Sequence, residues 1–246
     1  MKLAWWVASA VVSLQAYGWT VVSQGLLGWQ TPTLTIRYNF DDCLMSEAAL
    51  LAHVDAMIAT WNVSYNTSMR LERATSASSD TITELMAQTA VTPLIVCDST
   101  FAATQSVDAN AIPALTRVST SQGRVAYAGL VLNAQSGAGA EISQLSSGAL
   151  AVTIAHEMGH ALGLGHTADT DALMYYSIAG KDAAVLTRDD MEGISFLYPR
   201  SEFSGGAFGC ARTAAPHQAG ALGSLGVVCL LAAFVLGRIV RSERPL

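Results

Sequence analysis

Charged residues are scarce in this chain of 246 residues. Asp, Glu, Lys and Arg together make up 13% of it, and hydrophobic types make up 51%. Soluble domains usually carry roughly a quarter charged residues. Intrinsic disorder needs low hydrophobicity and high charge, so it is excluded as the state of the whole chain. Positive charge is the scarcer sign: 13 Lys and Arg face 19 Asp and Glu, a net charge of −6. A general nucleic-acid binder wants a basic surface, and no nucleic-acid partner is expected. Proline is also rare. With 6 prolines, and 20 glycines in no strict period, a collagen-like chain is excluded. No internal repeat is apparent.

The surplus apolar residues sit at the two ends. Residues 1–18 place Lys2 before a short apolar run, Leu3 to Val12, with small residues at Ala16 and Gly18. This is the layout of a secretory signal peptide, and the run is short for a membrane span. Residues 219–237 carry no charge, and Arg238, Arg241 and Arg244 follow at once. That stretch is just long enough to span a bilayer as a helix, with 238–246 as a basic cytoplasmic tail and everything upstream outside. Residues 201–218 are small and polar without periodicity and read as a flexible stalk. Residues 19–200 remain as one domain, with enough chain for a single core. Most of the acidity lies there: between 19 and 204 there are 8 basic and 18 acidic residues.

Of the 4 cysteines, Cys43 and Cys97 fall in the domain, Cys210 in the stalk and Cys229 in the span. Outside the cytosol, the domain pair either forms one disulfide closing a long loop or stays as two buried thiols. Their spacing is not that of a metal site.

Within the domain, Leu34, Ile36 and Tyr38 alternate with polar residues and predict a half-buried strand. Leu50, Val54, Met57 and Trp61 recur at helical spacing and predict an amphipathic helix over 46–61. Residues 64–80 read as loop, 81–88 as a short helix, Leu94–Val96 as a short buried strand and 125–133 as a longer strand. The strongest helix is expected over 145–162. A last helix starts near Thr187, a residue type suited to the N-cap, with Asp189 and Asp190 in the first turn. Strands first and helices later points to an α+β domain.

Residues 156–166 read His-Glu-Met-Gly-His-Ala-Leu-Gly-Leu-Gly-His. His156 and His160, four apart on a helix, share a face, so both imidazoles can reach one ion. Glu157 points to another side, beside that ion, where a base for an activated water belongs. Gly163 can adopt the backbone conformation that ends a helix, so the chain can turn back and bring in His166. Three neutral imidazoles leave zinc one open position, which is the catalytic rather than the structural pattern.

The sequence HExxHxxGxxH resembles the metzincin signature of zinc endopeptidases. The stretch Ala172-Leu173-Met174-Tyr175 is similar to the Met-turn of that group, and Leu186 to Tyr198 resembles its matrixin (matrix-metalloproteinase-like) branch. The specific likeness covers about 145–200. It implies an α+β metzincin-like zinc protease domain, with a twisted mixed β-sheet, three main helices and HExxH on the active-site helix. It also implies one zinc on His156, His160 and His166, with Glu157 as the general base and Met174 as a hydrophobic floor. The 125–133 strand resembles the edge strand that pairs with an extended peptide. Asp189 or Asp190 would tether the last helix to the Met-turn. Matrixins often place proline after Met-Tyr; here Tyr176 stands there, either as an oxyanion-stabilising group near the zinc or as a packing residue. The histidines for a second, structural zinc are missing, and no cysteine-switch propeptide fits between Gly18 and Thr33. Calcium is left open, because the acidic residues form no EF-hand loop.

Gly209-Cys210, the apolar span and the arginines look like the sorting tails of exported bacterial proteins, with a plain single-pass anchor as the alternative. The expectation is therefore an exported, cell-surface or membrane-anchored monomer that hydrolyses peptide or protein substrates. The alternative is a surface adhesion module that keeps the fold with little turnover.

Overall fold

The computed structural model describes residues 18–63 and 66–200. Five strands form one mixed sheet: β1 (Thr33–Asn39), β2 (Arg70–Arg73), β3 (Leu94–Asp98), β4 (Ala114–Ser121) and β5 (Arg124–Asn133), in the order β2-β1-β3-β5-β4. β1 pairs in parallel with β2 and β3, and β3 with β5; only the β4–β5 hairpin is antiparallel. Between the strands lie α1 (Glu47–Asn62) and two short helices, α2 (Ile82–Met86) and α3 (Phe101–Gln105). After β5 come a short 3₁₀ turn, α4 (Ser147–Ala161) and α5 (Arg188–Leu197). Helices thus alternate with the first strands rather than following them, while the mixed sheet and the three main helices are those expected.

The sheet is covered on both faces, and the period-2 alternation of its strands divides the core in two. Ile95 and Cys97 of β3, with Ala128, Leu130 and Leu132 of β5, face α1 and α4. Leu94, Val96, Tyr127 and Val131 face the other way, onto Leu85 of α2 and Phe101 of α3. α1 is started by Ser46, whose hydroxyl accepts from the Ala49 N–H. It is locked to α4 by Trp61, fully buried, whose Nε1 donates to the Ala155 carbonyl at 3.0 Å. Cys43 and Cys97 are joined as a disulfide with a Cα–Cα distance of 5.2 Å, tying the start of α1 to β3.

The structure corrects one reading of the sheet. The 125–133 strand is not an edge; β5 lies between β3 and β4 and is buried along nearly its whole length. The free edge on that side is β4, a strand the hydropathy pattern did not mark. β2, inside a segment read as loop, and α3 are the other additions. Among the described residues no helix is long and apolar enough to cross a membrane. Residues 1–17 of the expected signal peptide (1–18), the stalk, the 219–237 span and the basic tail lie outside the described residues.

Candidate metal centre and cleft

The centre is carried by α4 and by the turn that ends it. Ser146 caps the helix through the Ala149 N–H. At the other end Gly163, at φ +106°, closes a Schellman turn: its N–H donates to the His160 carbonyl at 2.9 Å, and the Leu164 N–H to the Gly159 carbonyl at 3.0 Å. The last carbonyls of the helix are also taken up: Trp29 Nε1 donates to Ala161 O at 2.9 Å and the Tyr198 hydroxyl to Leu162 O at 2.7 Å. Gly165 lies against Thr20 and the Val21 backbone so closely that a Cβ would overlap them. The turn is therefore held from outside, and it delivers His166 back toward the helix.

His156, His160 and His166 converge, with their candidate ligand atoms all within 4.8 Å of one another. The Nε2 atoms of His160 and His166 are 3.2 Å apart. His156 Nδ1 lies 2.7 Å from the Leu173 carbonyl, and His160 Nδ1 lies 2.8 Å from the Leu164 carbonyl. A carbonyl can only accept, so each of these Nδ1 atoms carries the proton. In the neutral ring the lone pair is then on Nε2. Metal-bound imidazoles are oriented by such partners. Nitrogens at ~2.0–2.1 Å from one zinc ion sit a little over 3 Å from each other. The His160–His166 spacing matches that value, and a set of three imidazoles fits the chemistry of a tetrahedral zinc site with one position left over.

Burial tunes the same groups in the metal-free protein. It lowers the pKa of His156 below the usual imidazole range, and it lowers that of His160, with a smaller contribution from His156, to about 4. Both rings stay neutral, as ligands must. Burial pushes Glu157 up to about 7, partly offset by a hydrogen bond from Thr116.

These residues line one cleft of about 720 Å³ beside the β4 edge. Ala149 and Thr153 of α4 form one wall, and residues 176–181 face them across it. The Asp182 backbone lies on Gly148, leaving no room there for a Cβ. Tyr176 stands in the same cleft but 66% exposed, at its mouth. Met174 is 2% exposed and lies below α4; a Cβ on Gly159 would overlap its Sδ and come within 2.9 Å of Trp61 Cζ2.

Of the two aspartates, Asp190 makes the tether. It is buried, and its carboxylate accepts from the N–H groups of Leu173 (2.8 Å), Met174 (3.0 Å) and Thr187 (2.8 Å) and from the Thr187 hydroxyl (3.0 Å). Thr116 on β4 was not singled out by the sequence. Its hydroxyl reaches Glu157, and nothing short of the three-dimensional pairing announces it. The Leu164 and Leu173 carbonyls, being backbone, leave no residue-type signal either.

A family model described as Matrixin matches residues 29–199. Metalloendoproteinase 5-MMP of Arabidopsis thaliana is 54% identical over 44 residues, 18% of this chain and 12% of that protein. Metalloendoproteinase 2-MMP of the same plant is 52% identical over 44 residues, again 18% and 12%. Interstitial collagenase of Sus scrofa is 46% identical over 48 residues, 20% of this chain and 10% of that protein. The chain thus spans about a tenth of the length of these curated relatives.

Proposed function

The chain belongs to the matrixin family, and on that premise we propose that it is a zinc-dependent endopeptidase cleaving extracytoplasmic peptides or proteins. The observation that carries the reading is the convergence of three imidazoles, two of which, His156 and His160, commit their Nδ1 protons to backbone carbonyls, with the half-buried carboxyl of Glu157 in the same cleft.

His156, His160 and His166 would hold the zinc, which supplies Lewis-acid activation of water and of the scissile carbonyl when bound. Glu157 accepts the proton of the attacking water and passes it to the leaving amine. Its raised affinity for a proton suits both halves of that transfer. The peptide backbone pairs with the free edge of β4, adding a strand to the sheet and laying the scissile bond across the cleft. The side chain following that bond enters the space between α4 and residues 176–181. Tyr176, at the mouth, is the candidate donor to the oxygen on which negative charge develops. Met174 packs beneath the site and contacts no substrate.

The chain is proposed to act outside the cytosol, delivered by residues 1–18 and held at the surface through 219–237. The Cys43–Cys97 disulfide supports export, since such bonds persist in oxidising compartments. The test of function is hydrolysis of quenched-fluorescent peptides by the purified chain, with and without chelator. Glu157→Gln is expected to lower turnover at least ~100-fold while keeping the metal. A wild type no faster than this variant would leave a binding module as the reading.

A further inference from the structure

β4 faces α4 with Ala114, Thr116 and Val118, and the sheet's other side with Leu115 and Arg117. Ala114 is 5% exposed and Val118 packs on the main core, so position 116 lies in an apolar row. Thr116 itself is half-buried and lines the cleft. The Thr116 Oγ1 lies 2.7 Å from Glu157 Oε2 and 2.8 Å from the Glu157 carbonyl oxygen. One hydroxyl, with a single proton to share between two acceptors, thus lies against both the side chain and the main chain of one residue.

From this geometry we propose that Thr116 is a positioning residue for the general base, an inference that rests on the peptidase reading above. A glutamate side chain has three rotatable bonds. Engaging Oε2 selects one of its conformers and leaves Oε1 as the oxygen free to receive a proton from the cleft. The same clamp sets the strand relative to the base. Substrate aligned on β4 is then aligned with Glu157, because the two are linked by a single side chain rather than through the whole sheet. Proximity effects of this kind are lost with misplacements of an ångström.

The experiment is steady-state kinetics on the full chain, comparing wild type with Thr116→Val, Thr116→Ser and Thr116→Val in a Glu157→Asp background. Bound zinc and thermal melting are followed in each. Val keeps the shape and loses the hydroxyl. It is expected to lower kcat by about tenfold or more, the worth of one hydrogen bond to a charged group, with KM changed less than about twofold. Ser is expected to restore kcat to within about threefold of wild type, and Val to add less than about twofold to the loss in Glu157→Asp, whose shorter carboxylate cannot keep the bond. An unchanged kcat, a loss confined to KM, or an equal loss in both backgrounds would overturn the proposal. So would a Thr116→Val protein that binds less zinc and melts earlier. If wild type itself hydrolyses no peptide, it is the peptidase reading that fails.

Discussion

Asp190 touches no part of the cleft, yet removing it should weaken the metal centre. Its carboxylate gathers four donors, two of them the N–H groups of Leu173 and Met174, residues only 1% and 2% exposed. In Asp190→Ala those two N–H groups are left in the core without acceptors. A buried unsatisfied donor costs about 1–3 kcal/mol, so the pair costs about 4 kcal/mol. The Thr187 donors lie nearer the surface and can turn to water. Against a typical domain stability of roughly 5–15 kcal/mol, the variant should still fold.

The second consequence follows from Leu173 itself. Its N–H is held by Asp190, and its carbonyl orients His156 through Nδ1 at 2.7 Å. Loss of such an outer partner typically costs about 10–100-fold in metal affinity. Urea unfolding of the metal-free protein measures the first effect, and competition with a chromogenic zinc chelator the second. Asp190→Asn, which keeps one acceptor oxygen, should fall between wild type and Ala in both. A loss of stability below about 1 kcal/mol, or a zinc affinity unchanged in the Ala variant, would refute the reasoning.

Gly159→Ala should destabilise by about 1–3 kcal/mol despite alanine's better helix propensity, because the new methyl overlaps Met174 and Trp61; chemical denaturation reads it, and a stabilised variant would contradict the packing. Replacing Cys43 and Cys97 by serine opens a link between residues 54 apart and should cost about 4 kcal/mol by the chain-entropy relation, seen as a lower denaturation midpoint under non-reducing conditions. In the metal-free protein, Glu157 contributes stability below about 4.5 that is lost as pH rises through about 7, whereas His160 contributes stability above about 6.5 that is lost as pH falls through about 4. Each is worth up to about 3 kcal/mol, so the two slopes oppose; Glu157→Gln should make the metal-free chain's stability climb more steeply between pH 4 and 6.5 than wild type's, and equal slopes would contradict the raised Glu157 affinity.

The convergence of the three histidines was largely legible in the sequence because its logic is local. His156 and His160 share a face by helix period alone, and Gly163 marks the place where the helix must end. Thr187, Asp189 and Asp190 likewise mark the start of α5. The choice of Asp190 over Asp189 was not legible: both occupy the first turn, and only the direction of the Met-turn backbone decides between them. Thr116 was invisible for a related reason. Its partner lies 41 residues away on another element, and a threonine in a strand has no need of a special role.

The misreading of the sheet edge has a physical cause that the pattern itself contains. Residues 125–133 form a nearly continuous apolar run, and a strand buried on both faces and paired on both sides carries just such a run. An edge strand meets solvent along one side and keeps polar residues even where it packs, as Thr116, Arg117, Ser119, Thr120 and Ser121 of β4 do. Apolar continuity therefore argued for the interior, next to β3, and the weaker, polar segment just before it was the better candidate for the strand that a substrate would join. The same polarity that hid β4 from a hydropathy reading leaves its edge open to an extended peptide and puts a hydroxyl within reach of Glu157.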